Sequence, residues 1–370
     1  MATTTPQKFY GLDQLRALAI LLVLVFHYQL KPFHPSWTKW FMQIGWTGVD
    51  LFFVLSGFLI SSQLFIEIKK ERRISLKTFF IKRFFRILPI YFFVVGVYFL
   101  FPLIREKEAL PPLWKFLTFA QNFGLDAKHF GTFSHAWSLC VEEHFYLLFP
   151  LILLFLTSKN LFAKSYWILI ALFVFGIVFR MYLWNIYYPS DAAINASVPY
   201  WTVHFYYPTY NRLDGLLVGM AIAALYQFLP KLWGKISKFG NQSIILSIAL
   251  LTLIYFYFSD MGSYSTSIWG FPLISIAYGF LVLGAISPSS FLYKWNSRIT
   301  TLIATLSYAI YLSHKIIFHI VQELLTKLGI AKDSNLTFVL SMIFCVLVAL
   351  LLHYSIEKPF MKMRAWFLKK

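Results

Sequence analysis

Three ionisable side chains lie within the first long apolar run of the sequence, which extends from Leu12 to Tyr28. Asp13 and Arg16 stand at its beginning, and His27 stands near its end. In a helix, the eleven steps from Arg16 to His27 make about three turns and place both side chains on one face, about 16 Å apart along the axis. Ionisable groups inside a membrane-spanning helix are costly and usually mark a pathway or a site. An imidazole in this position is a candidate general base, because its unperturbed pKa lies near neutrality.

A second group of ionisable residues interrupts the apolar run that begins at His135. Glu142 and Glu143 are adjacent within that run. Adjacent side chains of a helix point about 100° apart, so at most one glutamate needs to face a given cavity. Each buried carboxylate needs a cationic or hydrogen-bonding partner. The candidate partners are Arg16, Arg180 and Arg212, and the side chains expected to structure the site or bind substrate include Trp137, Ser138 and Tyr146.

The most basic stretch of the sequence ends with Arg83 and Arg86, directly before an apolar run that begins at Ile87. Residues three apart share one face of a helix. One interpretation is that these side chains anchor the chain on the cytoplasmic side of a membrane. The other is a clamp for an anionic cytosolic ligand, because paired guanidinium groups bind phosphates well.

Polar residues occur in three further apolar runs. Asp50 is either an interfacial charge or a site residue, and Gly57 in the same run favours close helix packing. Arg212 and Asp214 are two residues apart and form a candidate self-satisfying pair. His314 lies well inside a later run, so we expect it to face a polar cavity.

The amino-acid composition indicates that these residues lie within a membrane protein. The 370 residues are 59% hydrophobic, 20% aromatic and 13% charged, with a mean hydropathy of +0.66, whereas soluble domains contain about 25% charged residues. Ten apolar runs are long enough to span a bilayer. They cover residues 12–30, 45–65, 87–104, 137–156, 166–187, 213–228, 243–258, 268–285, 301–324 and 336–355.

The distribution of positive charge orients these ten predicted helices. With the N-terminus inside, most of the 33 Lys and Arg residues fall in cytoplasmic segments, as the positive-inside rule expects. The sequence therefore predicts an all-α polytopic membrane protein with both termini cytoplasmic and residues 1–370 forming a single integral-membrane domain. The net charge of +18 is explained by these loops, so no nucleic-acid partner is inferred, and the two cysteines show no metal-binding spacing.

Two segments outside the predicted spans carry weaker signals. The longest predicted outside loop, residues 188–211, is rich in aromatic side chains, which suit either the lipid interface or a sugar ring. Near the end of the chain, His353 and Glu357 are four residues apart, where a solvated pair facing the cytosol is the expected arrangement. The sequence has no P-loop, no Gly-x-Ser-x-Gly and no His-Glu-x-x-His motif, so it does not support ATP hydrolysis, serine-hydrolase chemistry or zinc proteolysis.

Taken in order, the motifs resemble those of the acyltransferase-3 membrane family, whose members include bacterial O-antigen, exopolysaccharide and peptidoglycan O-acetyltransferases. The features that carry the resemblance are the Arg16-to-His27 spacing, the run from Gly48 to Gly57, Arg83 with Arg86, the run from Trp137 to Tyr146, and Glu357-Lys358-Pro359. The resemblance extends from end to end of the chain.

The resemblance implies a bacterial inner-membrane enzyme that moves an acyl group, usually acetyl from cytosolic acetyl-CoA, to a hydroxyl at or beyond the outer face. Arg16 and His27 match the family's arginine-to-histidine motif, and Arg83 and Arg86 match its second basic motif, which meets the CoA phosphates. The implied partners are acyl-CoA as donor substrate, the bilayer, and a carbohydrate or glycolipid acceptor such as a polysaccharide or lipopolysaccharide, with no permanently bound cofactor. Because larger members carry a fused extracytoplasmic domain, we expect this chain to act alone or with a separate extracytoplasmic partner protein.

The resulting hypothesis makes His27 the general base, oriented by Glu142, Glu143 or Asp50, while Arg16 lines the donor tunnel. A covalent acyl-histidine is a variant of this mechanism. The rival function is a proton-coupled transporter of a small anionic or sugar-like solute, because buried ionisable residues also occur in transporters. The sequence has no repeated half, which argues against the transporter.

Overall fold

The computed structural model of the chain describes residues 9–30, 33–70, 74–107, 109–188, 198–258, 260 and 262–368. Within these residues the regular elements are helices, and no strand occurs. The framework consists, in chain order, of α1 (Tyr10–Gln29), α2 (Gly48–Lys69), α3 (Leu76–Leu100), α4 (Trp137–Ser158), α5 (Ser165–Tyr187), α6 (Asp214–Phe228), α7 (Gly240–Tyr257), α8 (Phe271–Ile286), α9 (Arg298–Lys327) and α10 (Asn335–Leu352).

Nine helical segments of the described chain are long and apolar enough to cross a membrane. The remaining framework helix, α6, has 15 residues. At 1.5 Å per residue it extends about 22 Å, which is shorter than the roughly 30 Å hydrocarbon core. The predicted all-α, multi-pass membrane fold is confirmed. Below, the two ends of the bundle are called the Arg16 end and the His27 end, after the residues near the two ends of α1.

The third framework helix begins earlier than the hydrophobic pattern predicted. Ser75 caps α3 by accepting a hydrogen bond from the Thr78 N–H at 3.2 Å, which satisfies one of the unpaired N–H groups at the helix start. As a result, Arg83 and Arg86 lie inside the helix instead of in the preceding loop. A rigid helix therefore holds both guanidinium groups.

Helices α2 and α6 approach each other closely along much of their length. A Cβ atom at Gly57 would overlap the main chain of Leu216, and one at Gly219 would overlap the carbonyl oxygen of Val54. The predicted packing role of Gly57 is confirmed. The close contact fixes the start of α2, which carries Asp50, against the segment that leads into α6.

The most buried helices are α8 and α9, while α5 and α7 lie at the periphery. Large apolar side chains such as Phe175 on α5 and Ile245 on α7 are more than half exposed. In a bilayer, lipid chains would cover these faces. The polar residues that the sequence singled out lie mainly on the inner helices.

Candidate active site

Three histidine rings from separate parts of the chain lie together toward the His27 end. His27 comes from α1, His314 from α9, and His135 from the short turn Ser134–Ala136 that precedes α4. The ring centroids of His27 and His314 are 4.9 Å apart, and the His135 centroid lies 5.8 Å from the first and 4.7 Å from the second. Among the described residues, no group of His, Cys, Asp and Glu side chains is arranged to hold a metal ion.

Hydrogen bonds determine which nitrogen of His27 carries its proton. The Nδ1 atom of His314 lies 2.7 Å from the carbonyl oxygen of Tyr311 and 3.2 Å from that of Ile310. Carbonyl oxygens only accept, so His314 is protonated on Nδ1, and its Nε2 is an acceptor in the neutral ring. The Nδ1 atom of His27, 3.0 Å away, then donates to this Nε2. Neutral His27 is left with an unprotonated Nε2, which is the atom that a general base requires.

The segment that carries His135 is held by contacts on both sides of the ring. Phe133 has a left-handed backbone, with φ of 53°, and its N–H donates to the Oε1 atom of Glu106 at 3.0 Å. The carbonyl oxygen of His135 accepts a hydrogen bond of 2.6 Å from the Tyr311 hydroxyl. Ser138 Oγ also lies 2.6 Å from that hydroxyl and is the donor between them, because the single Tyr311 proton is already used.

A cavity with about 990 Å³ of empty space, part of it open to solvent, extends from the Arg16 end toward these histidines. Ser138 and Tyr311 line its wall, and both belong to the hydrogen-bonded group that holds His135. The cavity therefore ends about one side chain away from the histidine cluster. Its other polar lining residues include Arg16, Ser56, Arg83, Arg86, Glu142, Glu143, Tyr146, Ser307, Tyr308 and Glu357.

The predicted basic residues converge on this cavity. Arg83 donates from Nη2 to the Oε1 atom of Gln63 at 3.1 Å, and its guanidinium lies 5.3 Å from the centroid of the Tyr146 ring. Arg16 and Arg86 line both this cavity and a second one with about 740 Å³ of empty space, part of it open to solvent. The second cavity also contains the predicted Asp13, whose carboxylate accepts a hydrogen bond from Thr301. The structure thus brings three guanidinium groups from α1 and α3 to one compartment.

The glutamates lie in the same cavity but do not orient His27 in the way that the sequence led us to expect. Glu142 accepts hydrogen bonds from Ser56 at 2.8 Å and from Tyr146 at 3.1 Å. Glu143 lines the cavity beside it. An imidazole, His314, occupies the position beside His27 Nδ1 where a carboxylate was expected.

Comparison with known proteins identifies the family of the chain. Residues 9–354 match the profile of the acyltransferase-3 family, described as an acyltransferase domain. The chain belongs to this family. The matched range includes every predicted site residue and the three arginines that line the two cavities.

The similar curated proteins include two from Staphylococcus aureus. The chain is 31% identical over 322 residues to "Putative O-acetyltransferase SACOL0978" of strain COL, which covers 82% of this chain and 50% of the relative. It is 28% identical over 331 residues to "O-acetyltransferase OatA" of strain NCTC 8325, covering 84% of this chain and 50% of the relative. This acyltransferase-3 chain therefore spans about half the length of these relatives. No solved structure gave a significant match.

The remaining predicted acid, Asp50, forms a buried ion pair instead of contacting a histidine. Its Oδ1 atom lies 2.8 Å from Nη2 of Arg212, and both residues are at most 2% exposed. The Arg212 guanidinium lies 4.0 Å from the Phe271 ring centroid and 5.4 Å from that of Trp137. The predicted pairing of Arg212 with Asp214 is wrong, because Asp214 binds both terminal nitrogens of Arg180, at 2.8 and 3.1 Å.

These two ion pairs also correct the expectation that Arg180 and Arg212 neutralise the glutamates of α4. Each arginine is paired with an aspartate at 2.8 Å. They connect α2 and α5 to the start of α6. Their role in this structure is to hold helices together.

The aromatic segment 188–211 is more buried than the sequence indicated, although residues 189–197 lie outside the described part of the chain. Trp201, Tyr206 and Tyr207 are each less than 9% exposed. Burial raises the pKa of Tyr207 to about 12. The Tyr206 ring lies 4.8 Å from both the Arg212 guanidinium and the Trp137 ring. These side chains form a wall around the ion pair instead of a lipid-facing surface.

Three residues that line the cavities were not predicted from the sequence to do so. Tyr311 closes the cavity beside His135, and no local sequence pattern distinguishes it from the other tyrosines. His353 and Glu357 were expected to be solvated, but their side chains are 23% and 14% exposed and both line the second cavity. They lie on a π-helical turn, His353–Glu357, that follows α10. Such turns are frequent at functional sites.

Proposed function

We propose that this chain is a membrane O-acyltransferase that moves an acetyl group from cytosolic acetyl-CoA to a carbohydrate hydroxyl on the opposite side of the membrane. The observation that carries the proposal is the position of His27. Its Nδ1 atom is hydrogen-bonded to His314, and His27 belongs to a histidine cluster that adjoins, through Tyr311, a cavity lined by three arginines. The names of the relatives support acetyl as the acyl group.

In the proposed reaction, His27 Nε2 removes the proton of the acceptor hydroxyl as its oxygen attacks the thioester carbonyl carbon. The tetrahedral intermediate then collapses, the carbon–sulfur bond breaks, and the CoA thiolate takes the proton from His27. The products are an acetyl ester and CoA with a free thiol. His314 keeps the imidazole in the required tautomer and stabilises the transient imidazolium by accepting its Nδ1–H.

The donor would enter at the Arg16 end. CoA carries phosphates, and the guanidinium groups of Arg16, Arg83 and Arg86 supply complementary charge in the two adjoining cavities. The distribution of Lys and Arg supports a cytosolic location for this end. The thioester would lie near Ser138 and Tyr311, on an arm long enough to reach from the arginines to the histidine cluster.

In this proposal the acceptor arrives from the His27 end, on the extracytoplasmic side of a bacterial inner membrane. Donor and acceptor then meet at His27 without either crossing the whole bilayer. In this proposal acetyl-CoA is a consumed substrate and no cofactor stays bound. Where the final acceptor is a polymer far from the membrane, a separate extracytoplasmic protein would complete the transfer.

The proposal is tested with purified full-length protein in detergent, radiolabelled acetyl-CoA, and a detergent extract of membranes from a strain lacking the gene. We expect CoA release in equal amount to label that enters glycan and is removed by mild alkali. If the protein neither binds nor consumes acetyl-CoA, the proposed enzymatic function is wrong. Solute accumulation by proteoliposomes reconstituted from the same purified protein would favour the transporter.

A further inference from the structure

His135 is the member of the histidine cluster whose two ring nitrogens make no well-formed hydrogen bond within the described residues. Its ring is 1% exposed, and neither Nδ1 nor Nε2 makes a hydrogen bond of good geometry with a described residue, although the ring interacts weakly with the Leu312 backbone. By contrast, the nearby His314 and the Tyr311 and Ser138 hydroxyls all make hydrogen bonds. Buried polar groups nearly always find a partner, so two unfilled nitrogens on one buried ring require an explanation.

Hydrogen bonds from other residues hold the backbone on both sides of His135. The Tyr311 hydroxyl donates to the His135 carbonyl oxygen, and Gln121 donates to the next carbonyl, that of Ala136, at 3.3 Å. The left-handed Phe133, bonded to Glu106, fixes the chain two residues earlier. The fixed backbone and the neighbouring rings of Phe133, Tyr311 and His314 together keep the His135 side chain in this position.

The surroundings of the ring indicate the kind of ligand that would bind to its two nitrogens. The neighbouring rings of Phe133, Tyr311 and His314 have centroids 5.0, 5.5 and 4.7 Å away. The His27 centroid is 5.8 Å away, which leaves the two rings close enough to contact one small polar group. A neutral imidazole offers one donor and one acceptor, and a hydroxyl also donates and accepts.

We propose that His135 is the binding contact for the acceptor, holding a hydroxyl-bearing substrate by its two unused ring nitrogens so that the reacting hydroxyl faces His27. This role rests on the proposed acetyl transfer. It places the acceptor at His135, next to the end of the donor cavity at Tyr311, so that donor and acceptor meet beside His27. The substrate class is a neutral polyol such as a sugar, since no charged group is needed for the match.

The test compares acceptor dependence with donor binding in purified full-length variants. His135→Phe keeps an aromatic ring but removes both nitrogens, and His135→Gln keeps a donor and an acceptor. The matched control is His144→Phe, which changes another histidine of the same region that bonds to Thr209 and stacks on Phe123. The acceptor is supplied as a graded amount of detergent extract from deletion-strain membranes, and acetyl-CoA affinity is measured separately.

For His135→Phe we expect the amount of extract that gives half-maximal rate to rise about tenfold, with an unchanged dissociation constant for acetyl-CoA. His135→Gln should recover part of the difference, and His144→Phe should match the parent protein. Unchanged acceptor dependence in folded His135→Phe and His135→Gln would show that the ring only packs, and weakened acetyl-CoA binding would place it on the donor side. Either result overturns the proposal, whereas absence of acetyl transfer by the parent protein would reject the proposed function itself.

Discussion

The Nδ1 atom of His27 lies 3.0 Å from the Nε2 atom of His314, across 287 residues of sequence. The opposite nitrogen of His314 is bonded to the carbonyl oxygen of Tyr311 at 2.7 Å. This chain of two hydrogen bonds fixes the proton positions on both rings. It makes His314 a positioning residue and leaves Nε2 of His27 as the base.

Replacing His314 should lower the rate of transfer without weakening donor binding. His314→Ala removes the acceptor for the His27 Nδ1–H, so we expect kcat to fall about tenfold to a hundredfold, less than the roughly 10²–10⁴-fold contribution of a general base. Steady-state kinetics and acetyl-CoA titration measure the two effects separately. His314→Gln places an amide oxygen near the same atom and should recover part of the rate. Equal activity of the alanine variant and the parent protein would contradict this role.

Removal of the cavity arginines should weaken binding of the phosphate-bearing part of the donor. For Arg83→Ala and for Arg86→Ala, loss of a charge-assisted contact of about 1.5–3 kcal/mol corresponds to about tenfold to a hundredfold weaker CoA binding. Acetyl-pantetheine lacks the nucleotide phosphates, so its affinity should change little. Isothermal titration with both ligands makes the comparison.

The matched control for the arginines is Lys77→Ala, which removes an exposed positive charge from the same helix, outside both cavities. It should bind CoA like the parent protein. If Lys77→Ala weakens CoA binding as much as the arginine variants do, the effect is general surface charge and not a specific clamp.

The ion pair between Asp50 and Arg212 should contribute stability mainly when both partners are present. Arg212→Met leaves a buried carboxylate without its partner, and breaking such a pair costs about 3–5 kcal/mol. The double variant Asp50→Leu/Arg212→Met removes both charges and should recover most of the loss. Thermal unfolding in detergent measures the difference, with Lys332→Met as control, because the pair Lys332–Glu323 is more exposed and worth about 1 kcal/mol or less. A double variant no more stable than Arg212→Met would argue against this account.

The parts of the site that sequence predicted well are those governed by local periodicity. The eleven-residue spacing of Arg16 and His27 places both side chains on one face if the segment is a helix, and α1 is that helix. The three-residue spacing of Arg83 and Arg86 required a shared face, and α3 supplies it from Ser75 onward. Apolar run length was sufficient to predict the all-α membrane fold, because a bilayer sets the length of its helices.

The parts that sequence could not predict are the long-range pairings. His27 with His314 and Asp50 with Arg212 join residues 287 and 162 positions apart, and no local pattern encodes which partner a buried group selects. Charge alone favoured a carboxylate beside His27, and proximity along the chain favoured Asp214 beside Arg212. Helix packing decided both pairings differently. The three-dimensional arrangement, with α9 against α1 and α6 against α2, supplies the information that was missing.

The most direct test of the central claim is the rate of acetyl transfer by His27→Ala, measured with purified protein, radiolabelled acetyl-CoA and extract from deletion-strain membranes. The control is His144→Ala, and acetyl-CoA binding is measured for both variants. We predict that His27→Ala loses at least about a hundredfold in transfer rate, with unchanged acetyl-CoA affinity, while His144→Ala stays active. Full transfer by a folded His27→Ala variant would contradict the assignment of His27 as the base.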